Sequence, residues 1–184
     1  EPEPEPETLS TPWISVVGRA VVRESRSCGC AEQQRELSLS NCKLRALGGA
    51  LRGLAGLRHL DLSKNALRSL GGELSGLASL ESLVLDSNEL GMGGGEGLSG
   101  ALGELPRLRS LSLCGCAYKN SLPGLPPELW RLGALESLNL NYCGLTQLHG
   151  AAEEVGFSGL PRLVRLSLAG NSLSELGDAL APLA

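Results

Sequence analysis

The chain repeats one eleven-residue pattern of leucines six times, and this repetition limits its possible folds more than any other feature. The clearest copy runs from Leu57 to Leu67 and reads Leu-x-x-Leu-x-Leu-x-x-Asn-x-Leu. Within it, Leu60-Asp61-Leu62 alternates apolar and polar residues, as does a short strand with one buried face. A single copy cannot bury its own leucines, so we expect the copies to stack into a solenoid.

The spacing between copies shows where the repeats differ. The leucines at the strand centres lie 23, 23, 28, 27 and 28 residues apart, while the strand pattern itself keeps its form. The additional residues must therefore lie in the segments that return to the next strand, and residues 151–157 of one long return segment are candidates for a helix. The central leucines are Leu37, Leu60, Leu83, Leu111, Leu138 and Leu166.

The pattern resembles that of the leucine-rich-repeat family, whose repeats are about 20 to 29 residues long. The resemblance covers about residues 34–180. It implies an α/β solenoid shaped like a horseshoe, with a concave parallel sheet, short helical or 3-10 segments on the convex side, and protein binding as the usual task. Residues 125–140 are most similar to the intracellular, Ras-associated type of repeat, whose return segment reads LPxxLxxLxxL.

Composition divides the chain into three predicted regions. Residues 1–8 are rich in alternating glutamate and proline, which disfavours helix and sheet and indicates an acidic tail or linker. Residues 9–33 contain enough β-branched side chains for one or two strands, and we expect them to cap the first repeat. Residues 34–184 are predicted to form the repeat domain, in which no polar C-terminal cap is evident. We therefore expect either that the chain continues in a longer protein or that another subunit covers that end.

Charge and hydropathy narrow the classes of partner. The chain has 16 lysines and arginines against 20 acidic residues, and the four glutamates of residues 1–7 account for the whole net charge of −4. A neutral body argues against nucleic acid or an anionic membrane as the main partner. Neither a membrane-spanning segment nor a signal peptide is visible, which favours an intracellular, cytoplasmic protein. Because residue 1 is not methionine, a targeting segment that has been removed remains an alternative, with an extracellular or organellar location.

The cysteines support two interpretations. Three of them take the position of the asparagine in the pattern, and we predict structural, largely buried thiols there: Cys42, Cys116 and Cys143. Cys28 and Cys30, taken with Cys42, also resemble the cysteine-rich cap of extracellular leucine-rich-repeat proteins. The second interpretation keeps an extracellular recognition domain open.

We predict no metal site, cofactor site or catalytic residue. Cys114 should point outward and Cys116 inward, so one tetrahedral zinc site does not easily use both. Residues 95–100 match G-x-G-x-x-G, but the acidic residue that a dinucleotide site needs about 20 positions later is missing, so we predict a glycine-rich loop. His59 and Asp61 lie on an open strand surface without the pocket that general-base catalysis requires.

The surface of the sheet is the remaining candidate for function. Outward-facing strand residues should form three columns of small or mixed-charge side chains on the concave face, with larger side chains at the margins. The candidate protein-binding residues are Arg58, His59, Asp61, Lys64, Val84, Asp86, Arg109, Asn139, Asn141, Tyr142 and Arg165. Trp130 is a candidate anchor at the convex rim, with burial against Pro126 or Pro127 as the equal alternative.

These observations predict a non-enzymatic protein–protein interaction module. It would act as a scaffold subunit of a larger assembly, or as the recognition part of a longer protein. One alternative is a regulatory or inhibitory subunit that binds an enzyme in its concave face, and another is an extracellular recognition domain. The identity of the partner cannot be read from the fold, because specificity depends on a few surface side chains.

Overall fold

The sheet follows the predicted repeats. In the computed structural model, the described residues are 21–22, 35–91, 97–98, 100, 102–115, 122, 125–148, 156–176 and 180. Within them, seven short strands form one sheet whose order follows the chain. The strands are β1 (Val21–Val22), β2 (Glu36–Ser38), β3 (His59–Asp61), β4 (Ser82–Val84), β5 (Ser110–Ser112), β6 (Ser137–Asn139) and β7 (Arg165–Ser167).

Strands β2 to β7 are parallel and in register, with the central leucine of each strand beside that of the next. Strand β1 pairs antiparallel with β2, so Val21 lies opposite Ser38 and Val22 opposite Leu37. These two valines belong to the predicted capping segment. The rest of residues 9–33, and the tail at residues 1–8, lie outside the described residues.

The return segments contain short 3-10 helices. Among the described residues these are Gly71–Leu74, Leu102–Glu104, Pro127–Arg131 and Gly156–Gly159. The helix predicted over residues 151–157 overlaps the last of these only at its final two residues, and residues 151–155 lie outside the described part. The predicted solenoid, a parallel sheet with short 3-10 return segments, is confirmed. No helix in the described ranges is long and apolar enough to cross a membrane.

The core is a continuous stack of leucines between the sheet and the return segments. The central leucines of β3 to β6 are at most 1% exposed, whereas Leu37 at one end is 9% exposed and Leu166 at the other is only partly buried. Full burial of such a side chain contributes about 1.5–3 kcal/mol. An inner repeat therefore gains most of its stability from having a neighbour on each side, which explains why the copies cannot fold singly.

The asparagine of the pattern ties neighbouring turns together. Asn65 donates from Nδ2 to the carbonyl oxygens of Leu39 and Leu62, at 2.9 and 2.8 Å. Its Oδ1 accepts from the backbone N–H groups of Cys42 and Leu44, both at 3.0 Å. Buried backbone groups that cannot pair within the short strands are satisfied in this way.

Cysteine in the same position performs part of this task. Cys143 is fully buried, and its thiol donates to the carbonyl oxygen of Leu113 at 3.2 Å. The thiol of partly buried Cys42 lies 3.5 Å from the carbonyl oxygen of Ser40. The predicted structural role is confirmed at these two positions, while Cys116 lies outside the described residues.

Of the two alternatives for Trp130, the structure supports burial and contradicts an anchor at the convex rim. Its side chain is 3% exposed and meets the ring of Phe157 edge-on, with ring centroids 5.0 Å apart and an interplanar angle of 67°. The 3-10 helix Pro127–Arg131 turns the indole toward the 3-10 helix of the next repeat. Trp130 therefore joins two return segments inside the core, which the spacing of the leucines alone did not indicate.

Candidate protein-binding surface

The outward-facing side chains of β2 to β7, together with the turn residues that follow each strand, form one surface that we call the sheet face. The strand register aligns the outer residues in the two predicted strand columns. The first column holds Glu36, His59, Ser82, Ser110, Ser137 and Arg165, and the second holds Ser38, Asp61, Val84, Ser112, Asn139 and Ser167. Most of these side chains are short, so a partner can approach the sheet closely.

Hydrogen bonds join the small polar side chains across the strands. The hydroxyl of Ser112 donates to Asp86 Oδ1 at 2.6 Å, and Asn139 Nδ2 donates to Ser112 Oγ at 3.0 Å. Ser38 donates in the same way to Asp61 Oδ2 at 3.3 Å. These bonds fix the side chains before any partner arrives, which lowers the entropy lost on binding.

The middle of the sheet face carries two neighbouring carboxylates. Burial raises the pKa of Asp86, and the charge of Asp61 adds a smaller rise, while hydrogen bonds from the Ser112 hydroxyl and the Cys114 backbone oppose both. Asp61 keeps its place by accepting the backbone N–H of Ser63 at 2.9 Å. Two half-buried carboxylates favour a partner that brings hydrogen-bond donors or positive charge.

The Ser112 hydroxyl is expected to lower the pKa of Asp86 measurably. In Ser112→Ala the hydrogen bond to the ionised carboxylate is lost, so the pKa of Asp86 should rise further. Carboxyl ¹³C NMR titration of both proteins measures the difference. Because a raised folded-state pKa lowers stability as the pH rises through it, the variant should also lose more stability than the parent as the pH rises through the pKa of Asp86. An unchanged pKa would show that the bond does not form in solution.

One margin of the sheet face is lined by ion pairs that the sequence interpretation missed. Arg58 Nη1 lies 3.4 Å from Glu81 Oε1, and Arg109 Nη1 lies 3.3 Å from Glu136 Oε1. Each residue precedes its strand at the first variable position of the pattern, where charges of opposite sign alternate along the stack. Arg58 and Arg109 thus lie at the predicted margin, but as partly paired groups, and exposed pairs of this kind contribute only about 0–1 kcal/mol.

The other margin consists of the tight turns that follow the strands. Lys64 and Tyr142 both adopt left-handed backbone conformations there, with φ of 55°, and both are exposed. The Tyr142 ring, half exposed, lies against Gly170, where a β-carbon would overlap it. One hydrogen bond restrains the Asn141 side chain, because its Oδ1 accepts the backbone N–H of Ala169 at 2.7 Å. Tyr142 is the aromatic group that this margin offers to a partner.

The remaining predicted residues also lie on the sheet face. His59 and Arg165 are exposed at the starts of β3 and β7, and Val84 is half-buried at the end of β4. Six of the surrounding side chains line a shallow hollow of about 410 Å³: Glu36, Ser38, His59, Asp61, Ser82 and Val84. The hollow is open, and within the described ranges no three potential ligands are grouped as a metal ion would require.

The glycine-rich sequence at residues 95–100 serves packing where it is described. The carbonyl oxygen of Gly97 accepts the N–H of Leu70 at 2.9 Å, and its α-carbon faces the carbonyl oxygens of Leu90 and Arg68. A β-carbon at Gly97 would overlap those oxygens. This close approach explains the need for glycine without a nucleotide.

Comparison with known proteins agrees with the repeat geometry. Residues 34–90 match the family model described as leucine rich repeat. The fold is that of a leucine-rich-repeat solenoid. No curated protein sequence matches the chain. Leucine-rich-repeat proteins generally mediate protein–protein interactions, and their fold is typically a non-enzymatic module.

Three solved structures are similar to this solenoid. A leucine-rich-repeat protein of Leptospira interrogans is 32% identical, with a TM-score of 0.67, over 81% of this chain. The leucine-rich-repeat domain of the type III effector XopL is 30% identical, with a TM-score of 0.55, over 72%. Internalin C2 of Listeria monocytogenes, at 23% identity and a TM-score of 0.54 over 82%, supports the fold alone. The chain spans only 34%, 41% and 57% of these structures, respectively.

Proposed function

We propose that this solenoid is a non-enzymatic interaction module that binds a protein partner on its sheet face. In this role it serves as a scaffold subunit of an assembly or as the recognition part of a longer polypeptide. The single observation that supports the proposal best is the pre-ordered polar surface around Asp61 and Asp86. Its small side chains leave the strands accessible, and its carboxylates select partners with complementary donors.

Charge reversal on the sheet face tests this proposal. The tagged protein is purified from its native cells, and co-purified polypeptides are quantified by mass spectrometry. The double variant Asp61→Lys/Asp86→Lys should recover at least about tenfold less of the partner than the parent, since opposed charges across an interface are strongly unfavourable. Glu104→Lys/Glu175→Lys, on exposed return-segment positions, makes the same change in net charge and should recover the partner fully.

Two further observations keep this test decisive. Melting temperatures of all variants separate lost binding from lost folding, and Val84→Arg supplies a sheet-face change that leaves both carboxylates in place. Equal recovery by the parent and by both sheet-face variants would contradict the proposal. If the partner proves to be an enzyme whose activity changes on binding, the protein is a regulatory subunit instead of a passive scaffold.

We also propose an intracellular location, supported by the thiols. No disulfide bond joins the described cysteines Cys42, Cys114 and Cys143. The Cys143 thiol is buried, and this burial is the main cause that raises its pKa to about 11. At pH 8, Cys143 should react with a thiol reagent about a hundredfold more slowly than an unperturbed thiol, because the thiolate is the reactive form. Cys143→Ser should remove only the slowest phase.

Counting thiols after unfolding tests the location. Unfolding in urea without reductant should expose six reactive thiols, one for each cysteine of the chain. A smaller number, with Cys28 or Cys30 in a disulfide, would favour the extracellular alternative.

A further inference from the structure

The return segments of the first two repeats enclose a groove of about 810 Å³ on the opposite side of the core from the sheet face. We call it the basic groove, and its defining residues are Arg45, Gly48, Gly49, Arg52, Arg68 and Glu73. We propose that the basic groove is a second binding site, which takes an acidic segment of a partner protein by its carboxylates.

The floor of the groove already binds one carboxylate. The backbone N–H of Gly48 donates to Glu73 Oε1 at 3.1 Å, and that of Gly49 donates to Glu73 Oε2 at 2.8 Å. Both glycines have left-handed φ values, of 57° and 78°, so the two successive N–H groups converge on one side. Such paired amides form a concave anion site. The loop is therefore built to hold a carboxylate, and Glu73 of the next repeat occupies it.

Three arginines line the groove together with this carboxylate. The Arg52 side chain crosses Gly49 so closely that a β-carbon there would lie 3.1 Å from its Nε. Arg45 and Arg52 are exposed, and neither forms an ion pair with another described residue. The Arg68 side chain is 71% exposed and forms an ion pair with Glu89, with Nε 3.0 Å from Oε2. The groove thus offers two unpaired guanidinium groups and part of a third beside its single internal carboxylate.

Repetition of the sequence produces this arrangement. The first return segment reads Leu-Arg-Ala-Leu-Gly-Gly from Leu44, and the second reads Leu-Arg-Ser-Leu-Gly-Gly from Leu67. The 23-residue repeat places Arg68 beside Arg45 on the stack. An extended acidic peptide that crosses both return segments would meet Arg45 from the first and Arg68 from the second, and Arg52 lines the same groove.

The chemistry of the groove favours an acidic peptide over nucleic acid. No aromatic side chain lines it within the described part of the chain, so bases have no described stacking partner there. The planar fork of arginine pairs with a carboxylate through two parallel hydrogen bonds. Two or three such groups recognise a short run of glutamate or aspartate, whereas nucleic-acid binding requires a longer basic surface.

Fluorescence anisotropy with a labelled hexaglutamate peptide tests the proposal on the whole chain. Arg45→Glu/Arg52→Glu should weaken binding at least about tenfold, because attraction becomes repulsion. The matched control is Arg107→Glu/Arg162→Glu, which reverses two exposed arginines elsewhere and should change the affinity less than about twofold. Equal weakening by both double variants would mean that the peptide responds only to net charge, and would overturn the proposal.

Glu73→Gln tests whether the effect of a charge depends on its place in the groove, and not on the net charge of the protein alone. The single amide oxygen of this glutamine keeps an acceptor for one of the two glycine N–H groups. Because one negative charge also leaves the groove, hexaglutamate should bind about twofold to fivefold more tightly. The same increase from Glu104→Gln, outside the groove, would contradict the assigned site. The melting temperature of each variant verifies that the loop remains folded.

Two outcomes identify a different occupant and overturn the proposal of a separate partner. If glutamine at all four glutamates of residues 1–7 raises the affinity at least about tenfold, the chain's own acidic tail fills the groove. If a single-stranded oligonucleotide displaces hexaglutamate at a lower concentration than unlabelled hexaglutamate does, the site selects phosphate. Failure of either kind leaves the sheet-face proposal intact, because the two surfaces are tested with different variants.

Discussion

Replacement of Trp130 with alanine is expected to lower the free energy of unfolding by about 3–5 kcal/mol, as for other large buried aromatic side chains. The indole is 3% exposed and packs edge-on against Phe157 of the next repeat. Its removal leaves a cavity between two return segments and separates a pair that is worth about 0.5–1.5 kcal/mol beyond the area it buries. Urea unfolding followed by circular dichroism measures the loss.

Two matched variants separate burial from aromatic character. Trp130→Phe retains a ring opposite Phe157 and should lose only about 1–2 kcal/mol, since less volume is removed. Tyr142→Ala removes an aromatic group that is half exposed and should change stability by less than about 1 kcal/mol. If Trp130→Ala instead leaves stability unchanged while weakening partner recovery, the tryptophan acts at the surface.

The repeat pattern was sufficient to predict the fold, and the reason is physical. Leu60 and Asn65 act within one repeat and its direct neighbour, so the same local sequence specifies the same contacts at every position in the stack. The alternation of strand residues also assigned Asp61 and Val84 to the outer face, because side chains on a strand point to alternate sides. These features depend on periodicity, which a single sequence displays.

The contacts between return segments were not predictable in the same way. Trp130 meets Phe157, and Glu73 meets the Gly48–Gly49 loop, through residues that the pattern of leucines leaves variable. The pattern of leucines does not specify which variable side chains of two neighbouring return segments contact each other. The ion pairs at the margin were closer to prediction, since Glu81 occupies the same pattern position as Arg58. A comparison of that pattern position across the inner repeats would have shown that its charges alternate in sign.

The two candidate binding surfaces differ in charge and in construction. The centre of the sheet face presents Asp61 and Asp86 from neighbouring strands, whereas the basic groove presents Arg45 and Arg52 from one return segment. A solenoid can carry both because its core separates them. Partners with opposite charge could then be bound at the same time, which is the property that a scaffold requires.

The second large effect is expected from Asn88→Ala. Asn88 is fully buried, and its Nδ2 donates to the carbonyl oxygens of Leu62 and Leu85 at 3.0 and 2.9 Å. Its Oδ1 accepts the N–H of Leu67 at 3.2 Å. Alanine removes three hydrogen bonds to buried backbone groups, at about 1–3 kcal/mol each and less than additively, so the expected total is about 3–5 kcal/mol in urea unfolding.

Asn171 provides a control within the same chain. It makes the corresponding bonds, from Nδ2 to the carbonyl oxygens of Leu140 and Leu168, both at 2.8 Å, but it lies in the last described repeat and is only partly buried. Water can replace part of the hydrogen bonds of the Asn171 side chain. Asn171→Ala should therefore lower the free energy of unfolding about half as much as Asn88→Ala does. Equal losses would show that the burial of the asparagine does not determine how much stability the alanine variant loses.

Cysteine at position 88 tests how much of the asparagine a thiol can replace. Cys143 occupies the same pattern position, where its thiol reaches the carbonyl oxygen of Leu113 but its sulfur offers only a weak acceptor. The free energy of unfolding of Asn88→Cys should therefore lie between those of the parent and of Asn88→Ala, with a loss of about 1–3 kcal/mol. A loss as large as that of alanine would mean that the hydrogen bonds of the thiol add no stability at this position. Asparagine at positions 65, 88 and 171 would then act through its two donors and its acceptor, which cysteine does not replace.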